Sequence, residues 1–198
     1  MPVAPDAPTI LVVPGLRDHV AQHWQTLLAK KLPRVREVPP MGREDLDCAK
    51  RVAALDREAA AIEGPIVIVA HNGGVITVAH WALRNKRQVR GALLAVPADF
   101  EKPMPEGYPA MGALGAAGWL PVPQAPLPFP SIVAASRNDP LCGFHRACTL
   151  AINWRSRIVD LGEVGHLNPA SGFGEWPQAE ELVRELCAIR TTESKASA

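Results

Sequence analysis

Two turn-rich segments carry the residues best suited to acid–base work. Asp139 lies in Ser136-Arg137-Asn138-Asp139-Pro140, and His166 lies in Gly162-Glu163-Val164-Gly165-His166-Leu167-Asn168. An imidazole acting as general base, with a carboxylate to orient it and stabilise its charged form, is the acid–base half of an acyl-transfer site. The attacking group should come from Ile66-Val67-Ile68-Val69-Ala70-His71-Asn72-Gly73-Gly74-Val75, where an apolar run ends in two polar residues and two glycines. A strand turning sharply into a helix there presents residue 72 at the turn. Small residues two positions either side, Ala70 and Gly74, let strand and helix approach closely. Asn72 occupies the nucleophile position. Its amide nitrogen is not nucleophilic, so covalent catalysis through residue 72 is closed. Asn nevertheless tolerates positive φ, and its side chain can hydrogen-bond an imidazole. Charge developing opposite this turn needs backbone N–H donors. Gly73 at the helix start supplies one, and the turn Pro14-Gly15-Leu16-Arg17 supplies the other, with Leu16 the best placed.

The remaining histidines carry less. His71 packs or caps beneath the turn, while His19, His23, His80 and His145 fall on expected helices or their approaches and read as structural or solvated. Cys142-x-x-His145-x-x-Cys148 has metal-like spacing, but on a helix its outer members diverge in direction. No metal site and no cofactor are expected.

These residues need strands that end beside one another. Short apolar runs at 9–13, 35–38, 66–70, 89–96, 132–135 and 157–161 read as strands. Amphipathic runs at 21–32 (Trp24, Leu27, Leu28 and Leu32 on one face), 47–62, 74–84, 143–154 and 176–190 read as helices. This alternation predicts a parallel sheet covered on both faces, with right-handed crossovers and ligands at the carboxyl ends of the strands. Residues 1–190 form one domain on this reading, and 191–198 a disordered tail. The rhythm breaks at 97–130, a Pro- and Gly-rich insertion carrying Phe100, Tyr108, Trp119 and Phe129, which should shape the pocket.

The order nucleophile, acid, histidine is that of the α/β-hydrolases, and small-x-Asn-x-Gly differs in one residue from their small-x-Ser-x-Gly elbow. The chain resembles the small single-domain serine hydrolases similar to retinoblastoma-binding protein nine. The matching pieces are Val13-Pro14-Gly15 with His23-Trp24, Val69-Ala70-His71-Asn72-Gly73-Gly74, Val96-Pro97-Ala98-Asp99, Ala135-Ser136-Arg137-Asn138-Asp139-Pro140, Gly165-His166-Leu167-Asn168 and Ser171-Gly172-Phe173-Gly174-Glu175-Trp176-Pro177. The resemblance implies an α/β-hydrolase fold, a three-layer sandwich around a six-stranded parallel sheet. It also implies ester- or amide-hydrolysing ancestry, with Asp139 and His166 as triad members. The departure is Asn72, where the family has serine. Four readings stay open: an inactivated or weakly active hydrolase; a pseudoenzyme binding a small molecule or protein; deamidation of Asn72-Gly73 to an aspartyl nucleophile; and direct activation of water by His166 and Asp139.

Bulk properties narrow the partners. With 198 residues, 47% hydrophobic and 21% charged, the chain can bury a proper core. A net charge of +1 argues against a nucleic-acid or membrane surface. Cys48, Cys142, Cys148 and Cys187 form no C-x-x-C pair, and neither a leader pattern nor a spanning apolar run is visible. A cytoplasmic protein acting on a small-molecule ester or amide is expected, with a protein partner as the alternative.

Overall fold

The computed structural model describes residues 7–17 and 20–189, so the readings for His19 and for the tail 191–198 lie outside the described residues. Strands β1 (Thr9–Val13), β2 (Val35–Glu37), β3 (Ile66–Asn72), β4 (Val89–Pro97), β5 (Ser131–Ala135) and β6 (Arg157–Asp160) make one sheet. Its order is β2-β1-β3-β4-β5-β6, and every pair is parallel. The helices are α1 (Trp24–Lys31), α2 (Cys48–Ala60), α3 (Gly73–Ala82), α4 (Met111–Ala116), α5 (Phe144–Trp154) and α6 (Pro177–Ala188).

Successive strand residues point to opposite faces, and each face has its own core. Leu11, Val13, Ile66, Ile68 and Ala70 pack with α2, α3 and α5. Ile10, Val12, Val67 and Val69 pack with Trp24 and Leu28 of α1 and Leu182, Val183 and Leu186 of α6. This is the three-layer α/β-hydrolase architecture. The chain leaves β1 toward β2 on one side and returns to β3 on the other, so the crevice where ligands bind in such sheets opens between the carboxyl ends of β1 and β3.

Three local results differ from the periodicity. Helix α1 begins at Trp24 because His23 is extended (φ −70°, ψ 139°) and its side chain caps Gln25 N–H. Strand β6 is a largely exposed edge. The 97–130 segment is not only a pocket wall: Phe100, Leu114, Trp119, Val122 and Phe129 are buried in the core, and Trp119 Nε1 donates to Leu46 O at 2.6 Å. Among the described residues no helix is long and apolar enough to cross a membrane.

Candidate active site

The turn between β3 and α3 depends on its small residues. Asn72 sits at φ 55°, ψ −124°, a conformation few side chains tolerate. A Cβ on Gly74 would fall 2.6 Å from Val13 O and against Pro14 O, so β1 and α3 approach as closely as backbone permits. A Cβ on Gly73 would meet Leu16 Cγ at 2.7 Å and Phe100 Cζ at 3.2 Å. Gly15 lies against Asn72, its Cβ position 3.2 Å from the asparagine Cβ. Gln25, buried on α1, donates from Nε2 to Val13 O and Val69 O, both at 3.1 Å, and ties the ends of β1 and β3 together.

Asp139 follows β5 and His166 follows β6, and the parallel register brings them together. His166 Nδ1 lies 2.9 and 2.8 Å from the two Asp139 carboxylate oxygens, both side chains being buried. Leu141 N–H donates to Asp139 Oδ1 at 2.8 Å. On the other side of the ring, Asn72 Nδ2 donates to His166 Nε2 at 2.7 Å, while Asn72 Oδ1 accepts from Gly73 N–H at 2.5 Å. Those bonds fix the amide orientation and the tautomer. Nε2 accepts, so Nδ1 carries the proton and donates it to Asp139. One side chain thus satisfies both the imidazole and the first N–H of α3.

The two loops are laced to each other. Asn138 Oδ1 accepts from Gly165 N–H (2.7 Å) and Ser136 Oγ (2.9 Å), and Val164 N–H donates to Ser136 Oγ at 3.2 Å. His166 N–H donates to Ser171 Oγ at 3.1 Å, and Ser171 is held by Asn168 Oδ1. Gly165 (φ 63°) and Leu167 (φ 48°) turn the chain sharply on either side of the imidazole. Asp99 N–H donates to Leu141 O at 3.0 Å, linking the segment after β4 to the Asp139 loop.

His71 is buried beneath the turn and donates from Nε2 to His166 O at 3.1 Å. Burial, and then the neighbouring His166 and His23, hold its pKa well below the ordinary histidine value. It stays neutral. His80 is likewise lowered by burial and bonds Trp119 O. His23 caps α1, lies 4.6 Å ring to ring from His71 and lines the pocket. Burial pushes the Cys142 thiol up to about 12 and Cys48 to about 11, which makes both poor nucleophiles.

Asn72 and His166 open onto a cavity of about 540 Å³. Its walls include Leu16, Phe100, Met104 and Tyr108, and the exposed Arg43 and Glu44 also line it. Arg17 bridges the turn after β1 to the 97–130 segment, donating to Gly107 O at 2.7 Å and lying 4.0 Å above the Tyr108 ring. All five sequence-selected residues, Leu16, Asn72, Gly73, Asp139 and His166, therefore converge. Of the supporting residues, Ser136, Asn138, Asn168 and Ser171 stand in the matching motifs but were given no role in the sequence, and Gln25 was not picked out. A glutamine between Trp24 and Leu28 on an apolar helix face was the available signal for Gln25. Among the described residues no group of three or more His, Cys, Asp or Glu could hold a metal ion.

A doubly wound parallel sheet, a strand–helix elbow and a facing carboxylate–imidazole pair define an α/β-hydrolase. The chain belongs to the serine hydrolase family, whose model matches residues 10–185. It is similar to a YdeN-like hydrolase of Pectobacterium atrosepticum, at 29% identity over 92% of each chain with a TM-score of 0.79. The ydeN gene product of B. subtilis shares the fold at 16% identity and TM-score 0.71, over 90% of this chain and 98% of that one. Est1E of Butyrivibrio proteoclasticus shares it at 11% identity and TM-score 0.67, over 93% and 90%. A comparison with curated proteins finds no match.

Proposed function

We propose that this serine hydrolase family member is an inactivated or weakly active carboxylic-ester or amide hydrolase, with Asn72 at the nucleophile position. Asp139 and His166 are the acid and base, and Gly73 and Leu16 the oxyanion donors. The observation that carries the reading is the double engagement of the Asn72 amide. Its Nδ2 takes the His166 lone pair that would deprotonate a nucleophile, and its Oδ1 takes the Gly73 N–H that would receive the oxyanion. The site is assembled and self-satisfied.

Hydrolysis through residue 72 would need a hydroxyl whose proton passes to His166 Nε2, with Asp139 stabilising the imidazolium. With asparagine there, activity is limited to what the pocket and the Asp139–His166 pair extract from water, which is small beside covalent catalysis. The test pairs a fluorophosphonate probe with short p-nitrophenyl esters, on the native chain and on Asn72→Ser. The native chain should neither label nor turn over appreciably, and the variant should do both. Labelling of the native chain at another residue, or no gain in a folded variant, would overturn the reading.

The second reading is a pseudoenzyme that binds a small molecule or protein through the same pocket. It is favoured by the cavity of about 540 Å³, which has the size of a ligand site. An Asn72→Ser variant that stays inert while native protein binds ester-like ligands by calorimetry would favour it.

A further inference from the structure

The Asn72–Gly73 junction has the geometry of a reaction within the chain itself. At ψ −124° the Gly73 nitrogen is eclipsed with the Asn72 Cα–Cβ bond, since Cβ is offset from the backbone nitrogen by a tetrahedral third of a turn. That eclipsed arrangement is the one a five-membered succinimide ring imposes. The side-chain carbonyl is already drawn to the attacking atom, with Oδ1 2.5 Å from Gly73 N. Gly73 opens α3, and its N–H is spent on Asn72 Oδ1 rather than in the helical ladder, so ring closure breaks no helical hydrogen bond. The leaving nitrogen, Nδ2, lies 2.7 Å from an imidazole nitrogen, and Asn72 itself lines the pocket, through which water can reach its side chain. Asn72-Gly73 is also the sole Asn-Gly pair in the sequence.

We propose that Asn72–Gly73 is a self-modification site, at which succinimide formation converts residue 72 to aspartate. Gly73 N gives up its proton to water, and its electron pair attacks Asn72 Cγ, moving the carbonyl pair onto Oδ1. The carbonyl re-forms as the Cγ–Nδ2 bond breaks, and the proton, relayed through His166 Nε2, leaves with Nδ2 as ammonia. Water then adds at Cγ and opens the ring, returning a proton to Gly73 N. The sum is asparagine plus water to aspartate plus ammonia. The product replaces the Nδ2 donor with an acceptor oxygen, so His166 Nε2 must then carry a proton. The imidazolium is held between the new carboxylate at position 72 and that of Asp139. The inference does not depend on the proposed hydrolase function, because it needs only the backbone and the neighbouring imidazole.

The test follows the native chain and the same chain in urea at neutral pH, using intact mass and peptide mapping that separates asparagine, aspartate and isoaspartate at position 72. The native fold should convert residue 72 at least about tenfold faster than the denatured chain, since the reacting atoms are already positioned and His166 stands ready to relay the proton to Nδ2. The product should be mainly aspartyl, and a His166 ring spectrum showing both nitrogens protonated should grow in with it. A folded His166→Ala variant should lose the native-state enhancement while its denatured rate is unchanged. Native conversion no faster than denatured conversion would overturn the proposal, and a His166→Ala variant as fast as native would overturn the proton relay. Neither result touches the esterase test, which is read on Asn72→Ser, a variant with no amide to lose.

Discussion

Replacing Asn72 by serine asks whether one hydroxyl is all that the site lacks. The expected geometry follows from the distances. Asn72 Nδ2 is 2.7 Å from His166 Nε2. On the same χ1, a serine Oγ takes the place of the asparagine Cγ, one bond of about 1.3 Å further back. With the usual bond angle at Nδ2, the Oγ···Nε2 distance becomes roughly 3.6 Å, about half an ångström beyond a good hydrogen bond. That gap is the looseness common in apo hydrolase sites and closes with a small shift of the His166 loop. Removing the Asn72 amide also frees Gly73 N–H to meet an oxyanion. The variant should therefore gain about 10³-fold or more in kcat/KM on p-nitrophenyl acetate, worth about 4 kcal/mol of barrier. Serine is less tolerant of φ 55° than asparagine, so the gain should come with a stability loss of about 1 kcal/mol. The assay is initial-rate hydrolysis, with fluorophosphonate labelling mapped by mass spectrometry and a thermal melt on the same samples. A folded Asn72→Ser protein with unchanged turnover and no label at residue 72 would refute the reasoning.

Three further outcomes are expected. Adding Asp139→Asn to Asn72→Ser should remove nearly all of the gained kcat, because the imidazole loses its tautomer-setting partner; steady-state kinetics on the double variant checks this. Gly74→Ala should destabilise by about 3 kcal/mol and lower Tm by roughly 6–12 °C in a thermal melt, since its Cβ has only β1-turn carbonyls to meet. His71 stays neutral in the folded state while an unfolded histidine titrates near 6.5. Below that pH the unfolded chain takes up a proton that the folded chain refuses. Stability should then fall with acid by up to about 1.4 kcal/mol per pH unit. A His71→Gln variant, which keeps an N–H donor for His166 O, should flatten that slope in urea melts at pH 5–7.

The sheet and the site were legible for different reasons. Continuous β-branched runs such as Ile66-Val67-Ile68-Val69 mark strands buried on both faces, and the glycines after Asn72 mark the turn. Asp139 and His166 were readable because strand ends are where a parallel sheet collects functional groups. The exposed face of β6 was not readable, because Ile158 and Val159 have the composition of a buried strand and only position in the sheet makes it an edge. The role of 97–130 was half visible. Its aromatics have no period, yet Phe100 and Trp119 stack edge to face at 5.3 Å in the core, an arrangement set by tertiary contact alone. The lacing of Ser136 to Val164 and of Asn138 to Gly165 was hidden for the same reason, since residues 28 and 27 apart in sequence meet only once β5 and β6 pair.

That lacing has an evolutionary consequence. Acid and base loops are held to each other by bonds that never touch residue 72, so changes at the elbow leave the pair in register. Every asparagine codon is one transition away from a serine codon. A lineage carrying this scaffold therefore stands a single base change from a hydroxyl at the elbow, in either direction.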